Sequence, residues 1–164
     1  MLLVGVLERL LLGVGLSLAL MLYRASWPHI AELGRAGEEE GAPFVDVARH
    51  PQALLVEGVV ILRVESGLYF VNADHVRRRL RKAARRPGVR AVILDGESMP
   101  VIDISAAHML VELSKEFRKR AQVLAIARDI GQVRDLIAEE REQASLLHFT
   151  TVGQAVRALA MAQV

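Results

Sequence analysis

Residues 89–110 read VRAVILDGESMPVIDISAAHML, a strand pattern followed directly by a helix pattern. The apolar run at 91–94 is short and has polar residues on either side, which is typical of a strand buried on both faces. Asp103 stands where a helix N-cap is expected, so its carboxylate should accept an N–H from Ser105 or Ala106. Beyond it, apolar side chains recur with the spacing of an amphipathic helix, at Ala106, Met109, Leu110, Leu113 and Phe117.

The same alternation of strands and helices continues on both sides of this stretch. Upstream, LLVEGVVILRVES (54–66) predicts one or two strands with a turn at Glu57-Gly58, and Ala73–Arg86 predicts a helix with Asn72 as its N-cap. Downstream, the sequence predicts strands within 121–129 and 146–150, a helix at 131–142, and a last helix capped by Thr151. Strands that alternate with helices indicate an α/β fold, in which helices cover a mostly parallel, mixed β-sheet.

The first 26 residues account for the high apolar content of the chain, which is 52% hydrophobic with a mean hydropathy of +0.30. Leu10–Leu22 carries no charge, but 13 helical residues reach only about 20 Å, against a hydrocarbon core of roughly 30 Å. Including residues 1–7 gives sufficient length and places Glu8 and Arg9 in the span, where ionic groups usually face other helices. We therefore expect one N-terminal transmembrane helix at 1–26.

A signal peptide is the alternative for this segment, with the uncharged run as its apolar region. Its amino-terminal part would carry Glu8 against Arg9, and no clear small-x-small cleavage site follows. Tyr23 and Trp27 at the end of the span, with Arg24 beside them, favour the transmembrane interpretation. They also predict a plasma (inner) membrane location, with the rest of the chain in the cytoplasm.

Residues 27–52 are rich in breakers of regular structure. They include an acidic run at 38–40 and the breakers Pro28, Gly34, Gly37, Gly41, Pro43 and Pro51. Breakers at this density predict a linker without a helix or a central strand, with at most a short edge segment at 45–52. The compact domain is then expected at 53–164.

Composition removes several classes of function. The chain has no cysteine, which excludes disulfides, thiolate zinc sites and cysteine nucleophiles. The five histidines show no metal-ligand spacing, and neither a glycine-rich phosphate loop nor a catalytic triad is present, so we expect neither an enzyme nor a cofactor. The net charge is only +2 and no aromatic residues interleave with the basic clusters, so we expect no nucleic-acid partner.

Three motifs, in this order, resemble the STAS domain (sulfate transporter and anti-sigma factor antagonist). They are VVILRVESGLYFVNAD (59–74), VRAVILDGESMPVIDISAAHML (89–110) and FTTVGQAVRAL (149–159). The head LLLGVGLSLALMLYRASWPHIAELGR (10–35) resembles the end of the last membrane span of the SulP sulfate permease family and the segment that leads to its STAS domain. The resemblance is closest at Arg24, Pro28 and His29.

This resemblance implies a cytoplasmic regulatory and interaction domain of a SulP-type inorganic anion (sulfate) transporter. Its partner would be a transporter membrane domain or another protein. A complete permease carries many more spans, so we expect a fragment or split subunit that does not transport alone. The alternative is a membrane-anchored signalling protein similar to the anti-sigma factor antagonists. An enzyme built on this topology is a third hypothesis, which no motif supports.

In the STAS proteins that act as anti-sigma factor antagonists, the hydroxyl residue directly after the Asp accepts phosphate. Here that residue is Ile104, which has no oxygen, and Ser105 is one residue out of register. Three interpretations of this stretch remain. They are a helix cap at Asp103, a phosphorylation switch at Ser105, and a regulatory or partner surface formed by Asp103, Ile104, Ser105 and His108.

The helix predicted at 73–86 carries a dense basic cluster. One interpretation is a solvated face opposite Val76, Leu80 and Ala84. The other is contact with anionic lipid or with acidic parts of a partner, since the predicted membrane helix holds the domain near a negatively charged leaflet. The residues proposed for that contact are Arg77, Arg78, Arg81, Lys82 and Arg85.

Overall fold

A computed structural model describes residues 2–39, 41–128 and 146–161. Its strands are β1 (Ile30–Arg35), β2 (Phe44–Asp46), β3 (Val59–Val64), β4 (Ala91–Asp95), β5 (Val123–Ala127) and β6 (Leu147–Phe149). The helices in the described part of the chain are α1 (Leu2–Ser26), α2 (Phe70–Ala84), α3 (Ile104–Arg118) and α4 (Val152–Met161). The helix predicted at 131–142 lies outside the described residues.

The strands form one sheet in the order β2–β1–β3–β4–β5–β6. β1 is antiparallel to both of its neighbours, whereas β3, β4, β5 and β6 pair in parallel. In this register Arg63 lies opposite Asp95, and Asp95 lies opposite Ala127. The sheet is mixed and mostly parallel, so the predicted α/β class is confirmed.

Side chains that alternate along β3 divide the core into two layers. Val60, Leu62 and Val64 pack with the buried faces of α2 and α3. Val59 and Ile61 point to the opposite side and pack with α4 and β1. The helices therefore cover both faces of the sheet, which suits strands as apolar as β3 and β4.

The start of α3 is as the sequence predicts, and the start of α2 is not. The inward residues predicted for α3 are all buried: Ala106, Met109, Leu110, Leu113 and Phe117. α2 begins at Phe70, so Asn72 lies inside its first turn and is not the N-cap. From there the Asn72 side chain accepts the N–H of Tyr69 at 2.9 Å and donates to the carbonyl of Gly67 at 3.0 Å. Asn72 thus provides a hydrogen-bond partner for the N–H of the N-cap residue Tyr69 from within the first turn, as the second residue of a capping box does.

α1 is one unbroken helix, and its stretch Gly5–Ser26 is long and apolar enough to cross a membrane, by length and composition. Its 25 residues extend roughly 37 Å at about 1.5 Å per residue. Large apolar side chains are exposed along it from Val6 to Tyr23, without a polar face. Only residues 27–29 separate α1 from β1.

The prediction that residues 27–52 form a linker without a central strand is wrong for β1. β1 pairs with β3 on one side and with β2 on the other, so it lies within the sheet. Its side chains Ala31 and Leu33 are buried against the α4 side of the sheet. The short edge segment expected at 45–52 corresponds in part to β2, which is the edge strand.

Gly34 is one reason why the sequence predicts a linker where the structure has the strand β1. It lies in the middle of the paired region and not in a turn. A Cβ added at Gly34 would stand 3.1 Å from the Cβ of Ala53 and 3.2 Å from a methyl carbon of Val47. Close packing therefore favours glycine here, and the residue marks a tight approach of chain segments and not a break in structure.

Candidate functional site

Asp103 connects the first turns of two helices. One carboxylate oxygen accepts the N–H of Ala106 at 2.8 Å, which confirms the predicted cap of α3. The other accepts the N–H of Phe70, the first residue of α2, at 2.7 Å. The backbone joins the same segments, because the N–H of Leu68 donates to Val101 and the N–H of Asp103 donates to Leu68. One carboxylate thus holds the starts of α2 and α3 side by side.

An exposed and largely apolar surface surrounds these two helix starts. We call it the helix-start surface, and it consists of Tyr69, Phe70, Val101, Ile104, Ser105 and His108. Phe70 is 73% exposed and Ile104 is 63% exposed. Large apolar side chains clustered on a surface in this way are typical of contact sites. Of the predicted surface residues, Ile104, Ser105 and His108 are exposed here, whereas Asp103 is half-buried as a cap.

The end of α1 packs against the first turns of α2. The side-chain amide of Asn72 donates to the carbonyl of Ala25 at 3.3 Å. The Trp27 ring meets His75 edge-on with centroids 4.8 Å apart, and the Arg78 guanidinium lies 5.9 Å from the Trp27 ring centroid. Burial lowers the pKa of His75, and the neighbouring arginine charges lower it further, which favours the neutral ring in this contact. The helix-start surface therefore adjoins the end of the apolar helix.

The basic side chains of α2 divide into two groups. Arg81 donates to Glu116 of α3 from Nε at 2.9 Å and from Nη2 at 2.6 Å, and Arg77 pairs with Asp74 at 3.6 Å. The second group is exposed and shares one face of α2, at Arg78, Lys82 and Arg85. We call this second group the basic stripe. Of the residues predicted to contact lipid or a partner, the stripe has the more accessible charges, because Arg81 is already bound within the domain.

A further charged pair joins the end of α2 to β1. Both Nη atoms of Arg86 donate to the Glu32 carboxylate, at 2.5 Å and 2.7 Å. This hydrogen bonding lowers the pKa of Glu32 despite the opposing effect of burial, and it raises the pKa of Arg86. The bidentate pair attaches a residue of the predicted linker to the domain.

An ion network at the carboxyl ends of β3, β4 and β5 was not predicted from the sequence. Asp95 is fully buried and accepts from Arg63 at 2.8 Å and from Arg128 at 2.6 Å and 3.0 Å. Glu97 then contacts the same two guanidiniums from the outside, at 2.8 Å and 2.9 Å. The signal that could have indicated it is a single carboxylate, Asp95, at the end of an otherwise apolar strand.

Arg128 takes part in this network from an unusual backbone conformation. Its φ of +57° lies in the left-handed region, which few residues other than glycine adopt. Partial burial alone would lower the pKa of Arg128, but the hydrogen bond with Asp95 and the charges of Asp95 and Glu97 outweigh it, so the pKa is raised. The surrounding contacts thus hold a fully charged guanidinium in one orientation.

Within residues 2–39, 41–128 and 146–161, no group of three His, Asp or Glu side chains is placed to hold a metal ion. The helix-start surface offers apolar side chains, the hydroxyls of Tyr69 and Ser105 and the His108 ring, which suit contact with a protein. The ion network offers guanidiniums, which suit contact with an anion.

The chain is similar to a known domain and to several transporters. The family model described as the STAS domain matches residues 50–155. "Probable sulfate transporter Rv1739c" of Mycobacterium tuberculosis is 35% identical over 145 residues, which cover 87% of this chain and 25% of the relative. "Sulfate transporter 4.1, chloroplastic" of Arabidopsis thaliana is 33% identical over 128 residues, which cover 71% of this chain and 18% of the relative. The chain therefore spans about a quarter or less of the length of these relatives.

Solved structures show the same fold. The inward-facing murine Solute Carrier 26 family member A9 anion transporter superposes with a TM-score of 0.76 at 19% identity, over 92% of this chain and 25% of that one. The anti-sigma factor antagonist SpoIIAA in its unphosphorylated form superposes with a TM-score of 0.51 at 12% identity, over 64% of this chain and 91% of that one. At these identities the likeness concerns the fold alone.

Proposed function

The chain belongs to the STAS domain family, and on that premise we propose that it is the cytoplasmic regulatory and interaction domain of a SulP-type inorganic anion (sulfate) transporter. The observation that carries this proposal is the direct connection of α1 to the sheet through residues 27–29, reinforced by the contact of Trp27 with His75. A helix of membrane length joined so closely to a STAS sheet suits a domain that works at the membrane face. The similarity to sulfate transporters supports the same role.

The partner we propose is the membrane-spanning part of such a transporter, bound through the helix-start surface. This surface lies beside the end of α1, since Asn72 in the first turn of α2 reaches Ala25. Its centre holds Ile104 and Phe70, which suit a permanent apolar contact. Ile104 has no hydroxyl to accept phosphate, so phosphorylation of that residue cannot regulate partner binding at this surface.

The basic stripe supports a second contact, with anionic lipid of the cytoplasmic leaflet. Each exposed Lys or Arg close to such a leaflet contributes about 1 kcal/mol to attraction. Arg78 lies over Trp27 directly after α1, so the stripe begins at the membrane end of the domain. We propose that Arg78, Lys82 and Arg85 face lipid while the helix-start surface contacts protein.

Membrane attachment can be tested by fractionation. The full chain is expected to stay with membranes after an alkaline carbonate wash, because α1 buries an apolar stretch in the bilayer. A chain that starts at Pro28 keeps every described strand and is expected in the supernatant. Recovery of the full chain in the supernatant without detergent would contradict the proposed location.

The regulatory role is tested with a chimaera. In the Mycobacterium tuberculosis relative, the matching 145 residues are replaced by this chain, and sulfate uptake is measured in cells that lack their own uptake. We expect uptake by the chimaera, and a loss of about tenfold or more for Ile104→Asp, since a charge buried in an apolar contact costs several kcal/mol.

The matched control is Leu55→Asp, which places the same charge at an apolar residue that is also exposed, 62%, but lies elsewhere on the domain. It should leave uptake unchanged. Equal losses for the two variants would contradict a specific role of the helix-start surface. With a single membrane-length helix in the described residues, we also expect the purified chain alone to transport no sulfate into liposomes.

The second candidate function is a membrane-anchored signalling protein of the anti-sigma factor antagonist kind. The exposed Ser105 at the start of α3 favours it, because a phosphate there would meet a helix N-terminus. Incubation of the chain with an anti-sigma-factor-type kinase and ATP, followed by phosphopeptide mapping, separates the two. We expect no modification. High occupancy at Ser105, absent in Ser105→Ala, would favour the signalling function.

A further inference from the structure

A cavity of about 500 Å³ lies on the α4 side of the sheet, away from the helix-start surface. We call it the arginine pocket. Its floor comes from the carboxyl ends of the parallel strands, with Arg63 from β3, Glu97 after β4 and Arg128 after β5. In open α/β sheets, ligands bind outside the carboxyl ends of the strands. Arg35 and Phe44 of the β1–β2 hairpin form one wall, and the first turns of α4 form the other.

The electrostatics of the pocket favour an anion. Four guanidiniums line it, and Glu97 contributes the only carboxylate among the described lining residues. The lining arginines are Arg35, Arg63, Arg128 and Arg157. The first turn of α4 adds the N–H groups of Val152 and Gly153, which have no partner within the helix, and the positive end of its dipole; the N–H of Gln154 is bound by the Thr151 hydroxyl. Gly153 in that turn carries no side chain, and an added Cβ would meet only Arg157, at 3.8 Å.

Two carboxylates, one on each side, bind the arginines that form the floor of the pocket. Beneath it, the fully buried Asp95 fixes Arg63 and Arg128 in place. Above it, Glu97 is 48% exposed and bridges the same two guanidiniums, with one oxygen on each. Removing the partner of a buried charge is strongly destabilising, whereas an ion pair whose carboxylate is half exposed contributes much less to stability. Asp95 therefore stays, and Glu97 is the carboxylate that a ligand can replace.

We infer that the arginine pocket binds a tetrahedral dianionic oxyanion, as sulfate or as a phosphate group, and that Glu97 is an internal carboxylate which the ligand displaces. Sulfate and phosphate oxygens match the paired N–H groups of guanidiniums in the way that the Glu97 carboxylate does. The pocket is larger than one such ion, and Pro43, Phe44 and Val152 give it an apolar side. A free inorganic anion and an organic phosphate share the same binding chemistry here.

A bound oxyanion would contact arginines from three parts of the fold at once. Arg35 belongs to the β1–β2 hairpin, Arg63 and Arg128 to the central sheet, and Arg157 to α4. Binding therefore stabilises the packing of α4 and of the β1–β2 hairpin around the ends of β3 and β5. The site adds an anion sensor to the proposed regulatory role, but its existence does not depend on that role.

The test is isothermal titration calorimetry on the full chain in detergent micelles, with sodium sulfate, sodium phosphate or phenyl phosphate at constant ionic strength. We expect saturable binding that sodium chloride does not reproduce. Glu97→Gln removes the competing charge and should tighten binding by about fivefold, the equivalent of about 1 kcal/mol. Arg35→Gln removes a charged donor and should weaken it by about tenfold or more.

Arg85→Gln, on the basic stripe, is the matched control and should bind as the wild type does, and urea midpoints of all variants check that they fold. Tighter binding of phenyl phosphate than of phosphate would identify an organic phosphate as the ligand class, and equal or weaker binding a free oxyanion. Absence of saturable binding in both the wild type and Glu97→Gln would refute the inference, as would an equal loss in Arg85→Gln. None of these outcomes bears on the chimaera experiment, which measures transport.

Discussion

Replacing Leu33 by alanine tests whether β1 is part of the folded core. Leu33 is 2% exposed and lies opposite Ile61 in the antiparallel pairing of β1 with β3. It packs in the layer that α4 covers. If residues 27–52 were a linker, truncating this side chain would change little. In the structure it removes part of the core.

The expected loss follows from the atoms removed. Leucine has three more carbons than alanine, and each buried CH₂ contributes about 0.8 kcal/mol, so transfer alone gives about 2.4 kcal/mol. The cavity left behind adds to this, and buried Leu→Ala changes cost about 2–5 kcal/mol in total. With a urea m-value of about 2 kcal/mol/M, typical of a small domain, the midpoint should fall by roughly 1–2.5 M.

The assay is urea unfolding of the full chain in detergent, followed by far-UV circular dichroism. Leu55→Ala is the matched control, since Leu55 is 62% exposed and lies in the chain segment just before β3. Its midpoint should stay within the change of about 0.5 kcal/mol that is usual for surface substitutions. Equal midpoints for Leu33→Ala and Leu55→Ala would refute the assignment of β1 to the core.

Two further predictions concern Asp103 and Glu32. Asp103→Ala removes the cap of α3 and the hydrogen bond to the first N–H of α2, so it should lower the free energy of unfolding by about 1–3 kcal/mol. The control is Asp74→Ala, on the exposed face of α2, which should change the free energy of unfolding by less than about 0.5 kcal/mol in the same urea assay. The hydrogen bond from Arg86 lowers the pKa of Glu32 in the folded state, so the folded chain binds fewer protons than the unfolded chain. The stabilisation from this bond is therefore present above the ordinary glutamate pKa of about 4.3 and is lost as the pH falls below it. Between pH 7 and about pH 3.5 the urea midpoint of Glu32→Gln should therefore fall less than that of the wild type, and an equal fall would contradict the assigned bond.

Helices α3 and α4, whose patterns are set by local sequence, were predicted correctly. The spacing from Ala106 to Phe117 identified the inner face of α3, and Asp103 identified its start. Thr151 likewise caps α4, since its hydroxyl accepts the N–H of Gln154 at 3.1 Å. In each case the cap and the apolar face lie within a few turns of one another, so periodicity and capping chemistry are sufficient.

Three features that depend on distant contacts were not predicted: the strand β1, the ion network around Asp95, and the pairing of Phe70 with Ile104 on one surface. β1 is a strand because β3 pairs with it, and the close approach of Ala53 and Val47 favours its glycine. The arginine network depends on the register that sets Arg63 beside Asp95 and on the position of Arg128 after β5. The exposed apolar cluster at Phe70 and Ile104 arises only once two helix starts, distant in sequence, are joined. Pairing and register across a sheet are properties of the whole fold.

The short junction between α1 and β1 has a mechanical consequence. Three residues span at most about 11 Å when fully extended, and Pro28 removes one of their backbone torsions. The bond from Asn72 to Ala25 and the ring contact of Trp27 with His75 add a second point of attachment. With two points of attachment, α1 and the sheet cannot rotate independently of each other. A tilt or rotation of α1 therefore changes the orientation of the sheet, and a force on the sheet acts on α1.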